Sequence, residues 1–268
     1  MKEKIAIVTK SGLTDTKERL AIVEQLKNDG AFDVYEQSVG EPYQEGTTTT
    51  VVFGGDGTML EAVRSAKDEN IAFFGVNLGN LGFLTSCEKN ESAQNVVKAI
   101  KERKIVERML ICATIFGKDV EALNEFVVKS ATSRPVYIDL SINGSFADSY
   151  HSDGAIVASP TGSTAYSLSA GGPIVAPDVD ALTINPICPH SLHSRPLVVG
   201  ANSKISLSLH GSESASVFAD GRLIASIAAG DEIAVQKSHK KAKFIIANND
   251  DFYKKLLQKM NGWGVTSR

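Results

Sequence analysis

The sequence predicts an α/β N-terminal domain, doubly wound and Rossmann-like, followed by a mainly-β C-terminal domain. Three observations predict this. Strand and helix patterns alternate through the first hundred residues, as in a layer of parallel strands covered by helices. Near residue 105 the pattern changes to short alternating strands separated by turns, and it keeps that character to about residue 240. A last amphipathic segment, DDFYKKLLQKM at 250–260, reads as a helix. The boundaries that follow are 1–104 for the α/β domain and 105–242 for the β-rich domain.

The elements are justified in chain order. Ile5–Thr9 is a short apolar run and a first strand. Thr14-Asp-Thr-Lys-Glu opens a helix with Leu20, Val23 and Leu26 at helical spacing. Phe32–Tyr35 fits a second strand and Thr50–Phe53 a third. Thr47–Thr50 forms a brief threonine tract. A glycine cluster and a helix carrying Leu60, Val63 and Arg64 come next. IAFFGV at 71–76 is continuously apolar, as a buried parallel strand is. Ser92–Lys101 reads as helix. VYIDLSI at 136–142 runs into Asn143-Gly144, a hairpin signal. Ala155–Ala158, Leu197–Val199, Ile205–Leu209, Ser216–Phe218 and Glu232–Val235 are further strands. Asp220-Gly221-Arg222 reads as a turn, and KSHKKAK at 237–243 as a solvated connection.

Composition narrows the function classes. Of the 268 residues, 43% are hydrophobic and 22% charged, which suits an ordinary globular core. The net charge of −3 leaves no basic surplus for tracking a phosphate backbone, so nucleic acid is not an expected partner. Three cysteines, far apart and odd in number, fit a reducing compartment better than a disulfide framework. No run of 18 apolar residues is present, so no membrane span is expected, and the expected location is the cytoplasm.

Three motifs carry chemistry. The first is GGDGT at 54–58, after a strand and before a helix. Gly54, Gly55 and Gly57 lack Cβ atoms, so they can take positive φ and let a phosphate approach a helix N-terminus. The pattern is neither G-x-x-x-x-G-K-[ST] nor G-x-G-x-x-G. Asp56 repels phosphate and therefore suits a hydroxyl beside it, as base or hydrogen-bond acceptor in phosphoryl transfer to an alcohol. The same residues also fit a tight turn in which Asp56 caps the helix at Thr58. The second motif, SPTGSTAYSLSAGGP at 159–173, is small and hydroxyl-rich. It suits a flat polar ligand, with Tyr166 stacking and Thr161, Ser163 and Thr164 donating hydrogen bonds. Asp153 adds a carboxylate just before it. The third is Asn124-Glu125 at the head of an apolar strand, which fits a solvated strand end equally well. Cys188, His190 and His193 match no usual zinc spacing, so no metal ligands are expected, and NPICPHSLHSRP reads as a shaped loop.

Taken in order, GGDGT, NLGNLGFLT at 77–85, Asn124-Glu125, SDGAIVASPTGSTAYSLSAGGP at 152–173, PICPHSL at 186–192 and Arg195-Pro196-Leu197 make the chain resemble the NAD kinase family over nearly its whole length. The resemblance implies a site in the cleft between the two domains, with the final segment, 243–268, packing back on the first domain. It implies transfer of the γ-phosphoryl of ATP to the 2′-hydroxyl of the adenosine ribose of NAD. On the matching positions, Asp56 is the base at that ribose and Gly57 lies against the dinucleotide. Asn124, Thr164, Tyr166 and Ser169 contact adenine and Glu125 a ribose. Asp153 and Ala165 contact the nicotinamide end, and Phe83 borders the site. Asp220 borders it too, without a catalytic role. Some members carry a basic residue where His151 stands. A divalent cation, Mg2+, is expected on the nucleotide phosphates, and a homodimer or homotetramer is the implied assembly. GGDGT alone also occurs in diacylglycerol and sphingosine kinases, but the hydroxyl-rich second motif argues against a lipid acceptor. A non-catalytic dinucleotide sensor would be expected to lack the acid at 56.

Overall fold

The computed structural model describes residues 2–79, 82–89, 91–247 and 252–264. The chain forms two compact units, one of residues 1–107 and 242–268, the other of residues 108–241.

The first unit is an α/β layer. Its elements begin with β1 (Glu3–Thr9), α1 (Lys17–Asn28), β2 (Phe32–Gln37), β3 (Thr47–Phe53), α2 (Asp56–Ser65), β4 (Ala72–Asn77), β5 (Cys87–Glu88) and α3 (Ala93–Glu102). The strands lie in the order β2-β1-β3-β4, all parallel. Alternate residues divide between the two faces. Ile5, Ile7, Val51, Phe53, Phe74 and Val76 pack with Ile22, Val23 and Leu26 of α1 and Val96, Val97 and Ile100 of α3. Gly75 points the other way, toward Met59 of α2. Strands buried on both faces explain why IAFFGV lacks alternation.

Two expectations are corrected here. The threonine tract is half of β3, with Thr47, Thr49 and Thr50 buried. Two of the hydroxyls find partners: Thr47 Oγ1 lies 2.7 Å from the Tyr35 hydroxyl, and Thr49 Oγ1 is 2.6 Å from both Glu3 Oε1 and the Arg103 guanidinium. Thr50 Oγ1 is buried without a hydrogen-bond partner among the described residues. In α1 the inward stripe is Arg19, Ile22, Val23 and Leu26, whereas Leu20 is exposed. Arg19 is tolerated inside because its guanidinium bonds Thr9 Oγ1, Thr14 O and Glu36.

The second unit is built from antiparallel strands. They are β6 (Ile105–Ile115, entering from the first unit), β7 (Lys118–Ala122), β8 (Glu125–Ser130), β9 (Val136–Ile142), β10 (Ser145–Ser152), β11 (Gly154–Ala158), β12 (Ala181–Ile187), β13 (Leu197–Gly200), β14 (Ile205–His210), β15 (Ala215–Ala219), β16 (Arg222–Ile227) and β17 (Glu232–Ile245). One sheet runs β10-β9-β14-β17, with β6 pairing β17 and β7. The other runs β13-β12-β11-β8-β15-β16. Ile138, Leu140, Ile205, Leu207 and Val235 of the first meet Phe126, Val128, Val157, Ile184 and Val217 of the second in one core. The β9–β10 hairpin turns at Asn143 and Gly144 with φ of 53° and 81°, the left-handed pair that such a two-residue turn needs. A 3₁₀ turn (Gly162–Thr164) and α4 (Tyr166–Ser169) lie between β11 and β12. KSHKKAK is not a connection but the middle of β17, with Ser238 and Ala242 turned inward.

β17 ends in the first unit, where Lys243 and Phe244 pair with Ala72 and Phe73 of β4 in parallel. The last helix, α5 (Phe252–Gly264), packs on that unit through Phe252, whose ring centroid is 6.0 Å from that of Phe83. Asp250 and Asp251, read as the start of this helix, lie outside the described residues. No helix among the described residues is long and apolar enough to cross a membrane. Cys87, Cys112 and Cys188 are free thiols.

Candidate functional site

In the first unit the chain order of the sheet reverses between β1 and β3. Open α/β sheets bind ligands beyond the carboxyl ends of their strands at such a reversal. GGDGT stands there, immediately after β3. Gly54 N–H closes the strand end on Val76 O at 3.1 Å. A Cβ on Gly54 would lie 2.5 Å from Thr58 Oγ1, so the fold itself requires that glycine. Gly55 and Gly57 face open space, and nothing in the fold requires them. None of the three takes positive φ, contrary to the sequence-based expectation. The contribution of Gly55 and Gly57 is an uncovered backbone at the head of α2, where helix N–H groups and the helix dipole favour negative charge.

Asp56 is the first residue of α2, and the helix cap is Gly55. The carboxylate makes no cap bond to the helix, so the capping alternative is set aside. Oδ2 accepts the Phe83 N–H at 3.0 Å and Oδ1 accepts the Leu84 N–H at 2.9 Å. A Cβ on Gly82 would overlap Oδ1, so the NLGNLGF segment needs glycine there to meet the acid. Asn80 and Leu81 of that segment lie outside the described residues. The side chain of Asp56 keeps 31% exposure, enough to meet a solute. Gly57 is exposed and Phe83 half-buried.

In the second unit the site grows from the junction of β8 and β11. Ser159, directly after β11, is fully buried. Its N–H donates to Asn124 O at 2.8 Å and its hydroxyl to Leu123 O at 2.5 Å. Gly162 N–H in turn donates to Ser159 Oγ at 3.1 Å. The hydroxyl-rich segment is thereby sewn onto Asn124-Glu125. Ser163 is turned inward rather than toward a ligand. Its hydroxyl reaches Pro160 O at 2.7 Å and Val175 O at 3.1 Å, and it accepts the Val175 N–H at 3.0 Å. Thr164 Oγ1 donates to Thr161 O at 3.2 Å. Thr161 is buried, Ala165 half-buried, and Tyr166 and Ser169 exposed. Asp153 is half-buried, its backbone held by Ile187 O and by the Ser130 N–H.

Glu125 is strongly perturbed. It is 5% exposed, and its Oε2 is buried without a hydrogen-bond partner among the described residues. Burial, and secondly the nearby Asp220 charge, push its carboxyl up to about 8 against the opposing pull of the Tyr166 N–H. A carboxyl held neutral over much of the neutral range can donate as well as accept a hydrogen bond.

Asp220 explains how Glu125 is held. It sits at φ 47° in the β15–β16 turn, and its carboxylate accepts N–H bonds from Leu123, Asn124 and Glu125 at 2.8, 2.7 and 3.2 Å. Composition shows a turn at this point and the family resemblance a border of the site, but the anchoring role is hidden because the partners are far away in the chain. His151 stacks on Tyr137 with centroids 4.3 Å apart, and His190 meets it edge-on at 4.7 Å. Among the described residues no group of three or more His, Cys, Asp or Glu could hold a metal ion.

Comparison with known proteins adds an independent line. Residues 5–105 match the model of the ATP-NAD kinase N-terminal domain, and residues 123–247 that of the ATP-NAD kinase C-terminal domain. The chain is 40% identical over 221 residues to an NAD kinase of Desulforamulus reducens, covering 80% of this chain and 77% of that protein. It is 35% identical over 222 residues to an NAD kinase of Geotalea daltonii, covering 80% and 78%. Among solved structures, it is similar to an NAD kinase from Archaeoglobus fulgidus in complex with ATP. That match has a TM-score of 0.80 and 28% identity over 96% of this chain and 98% of the other. Yeast NADH kinase complexed with NADH shares the fold, with a TM-score of 0.83 at 24% identity over 100% and 89%.

Proposed function

Because the chain belongs to the NAD kinase family, and is therefore a phosphotransferase, we propose that it moves the γ-phosphoryl of ATP to the 2′-hydroxyl of the adenosine ribose of NAD, with Asp56 as base. The observation that carries this reading is the placement of Asp56. A carboxylate fixed by two backbone N–H groups stands at the reversal point of the sheet, beside glycine backbone that the fold leaves uncovered. ATP as donor is supported by the Archaeoglobus relative solved with it.

In the proposed step the ribose O2′ bonds to the γ-phosphorus as the bond from that phosphorus to the β–γ bridging oxygen breaks. The bonding pair leaves with ADP, and the hydroxyl proton passes to Asp56 and then to solvent. Gly57 lies against the dinucleotide and Phe83 borders it. Asn124, Thr164, Tyr166 and Ser169 hold adenine, with Thr161 in the same loop. Glu125 takes a ribose hydroxyl, which would satisfy its unpartnered Oε2. Asp153 and Ala165 meet the nicotinamide end. The divalent cation, Mg2+, arrives as part of the nucleotide substrate, carried on its phosphates. A homodimer or homotetramer is the proposed assembly, to be measured by light scattering.

The test is direct. Purified protein incubated with NAD, ATP and Mg2+ is expected to form NADP, and a lipid alcohol offered instead is expected to stay unphosphorylated. Asp56→Asn should lower turnover by about 10²–10⁴-fold. Its far-UV CD should stay native, with some loss of Tm because one acceptor for the Phe83 and Leu84 N–H groups becomes an amide donor. Turnover near the wild-type value in that variant would remove Asp56 as the base.

A further inference from the structure

The last helix brings a cation to Asp56. Phe252, Lys255 and Lys259 stand at i, i+3 and i+7, on one face of α5. All three meet the 83–85 segment or the acid it holds. The Phe252 ring lies against Phe83, and Lys255 Nζ donates to Thr85 O at 2.6 Å. Lys259 Nζ is 3.6 Å from Asp56 Oδ2 and 4.2 Å from the centroid of the Phe83 ring. The Lys259 side chain is 22% exposed, so its charge is largely enclosed by the carboxylate and the aromatic face.

Resting on the reading of Asp56 as base, we propose that Lys259 is a positioning residue for the phosphoryl transfer. It holds the Asp56 carboxylate and offsets the repulsion between that carboxylate and the incoming phosphates. The donors on the acid are unevenly shared. Among the described residues Oδ2 meets both the Phe83 N–H and the ammonium, whereas Oδ1 meets the Leu84 N–H alone. Oδ1 therefore has the greater remaining capacity to accept, and it is the oxygen that takes the hydroxyl proton. Without Lys259 an anionic phosphoryl group would approach the carboxylate without the ammonium that stands 3.6 Å from Oδ2.

The experiment is a kinetic double-mutant cycle with a docking control. Lys259→Met should lower kcat about tenfold to a hundredfold with little change in the KM for NAD. Lys259→Arg, which keeps the charge, should recover most of that loss. In single-turnover reactions with enzyme in excess, Lys259→Met should cost nothing further when Asp56→Asn is already present. Lys255→Met removes a helix-docking bond but leaves the cation at Asp56, so its kcat should fall less than that of Lys259→Met. Equal losses in the two lysine variants, failure of arginine to recover kcat, or an undiminished Lys259→Met effect in the Asp56→Asn background would overturn the assignment. A large loss in Asp56→Asn with full kcat in Lys259→Met overturns only the lysine. Full activity in Asp56→Asn overturns both readings.

Discussion

Asp220 and Glu125 lie close together, yet the fold uses the two carboxylates in opposite ways. Asp220 receives three backbone N–H groups, which compensate its charge. Among the described residues Glu125 receives one, from Tyr166, and is buried with its Oε2 unpartnered. The first carboxylate is thus a fixed anchor for the 123–125 turn, and the second retains capacity for a ligand. Asp220→Asn keeps the size and the tolerance for left-handed backbone, but it places an amide N–H where a backbone N–H needs an acceptor. Hydrogen bonds to charged groups contribute about 1.5–3 kcal/mol each. The expected result is a rise of roughly tenfold or more in the KM for NAD, with kcat changed less. Steady-state kinetics at saturating ATP check it, and an unchanged KM would show that the anchor does not set the Glu125 position.

At the scale of elements, the sequence announces what depends on local order and conceals what depends on distant partners. Alternation in VYIDLSI and the Asn143-Gly144 turn gave β9 and its hairpin, because strand pleat and turn backbone are local properties. GGDGT was legible as a motif for the same reason, whereas Asn124-Glu125 fits a solvated strand end equally well in the sequence and is buried in the fold. The inward turn of Arg19 was not, since it depends on Glu36, Thr9 and Thr14 O closing around one guanidinium. KSHKKAK looked solvated because alternate polar residues in a strand resemble a polar loop until the pairing partners are known. Lys259 looked like any lysine of an amphipathic helix. The sequence offers Thr161, Ser163 and Thr164 as donors to a ligand, but the hydroxyls of Ser163 and Thr164 bond within the segment and fold it. Gly162 shows how closely the segment is fitted. A Cβ there would overlap the carbonyl and Cα of Asn124, which are backbone atoms with little freedom to move. Gly162→Ala should therefore push the 3₁₀ turn away from β8 and cost about 1–3 kcal/mol. Calorimetry should show a lower Tm, and titration with NAD a weaker affinity. Wild-type values for both would mean that the segment shifts without resistance.

The molecule as a whole carries opposite responses to pH in its two units. In the first, hydrogen bonds from Lys101 and the Ala31 N–H lower the Asp29 carboxyl, and the Lys27 and Arg19 bonds lower that of Glu36 against a smaller effect of burial. Such groups favour the folded state above their ordinary range and lose that contribution as pH falls through the folded values. These carboxylates are exposed or partly so, and solvent screening keeps the effect small. In the second unit Glu125 works the other way. Its folded value, about 8, lies above the ordinary 4.5 of a free glutamate, so the folded state binds the proton more tightly. Its contribution is complete below about pH 4.5 and is lost as pH rises to about 8. Each pH unit across that window corresponds to about 1.4 kcal/mol at most, so the full effect is of the order of a few kcal/mol. Glu125→Gln keeps the shape and removes the titration. The Tm of the wild type, followed for the transition of the second unit, should fall between pH 5 and 8 relative to that of the glutamine variant. Differential scanning calorimetry at several pH values separates the transitions if the two units melt apart. Parallel Tm curves for the two proteins would mean that Glu125 ionises in the folded state as readily as in the unfolded chain. The same burial that makes this unit sensitive to alkali favours a protonated carboxyl, as the ribose contact proposed for Glu125 would use. Saturating NAD should therefore raise the Tm of the wild type more than that of a variant with alanine at 125.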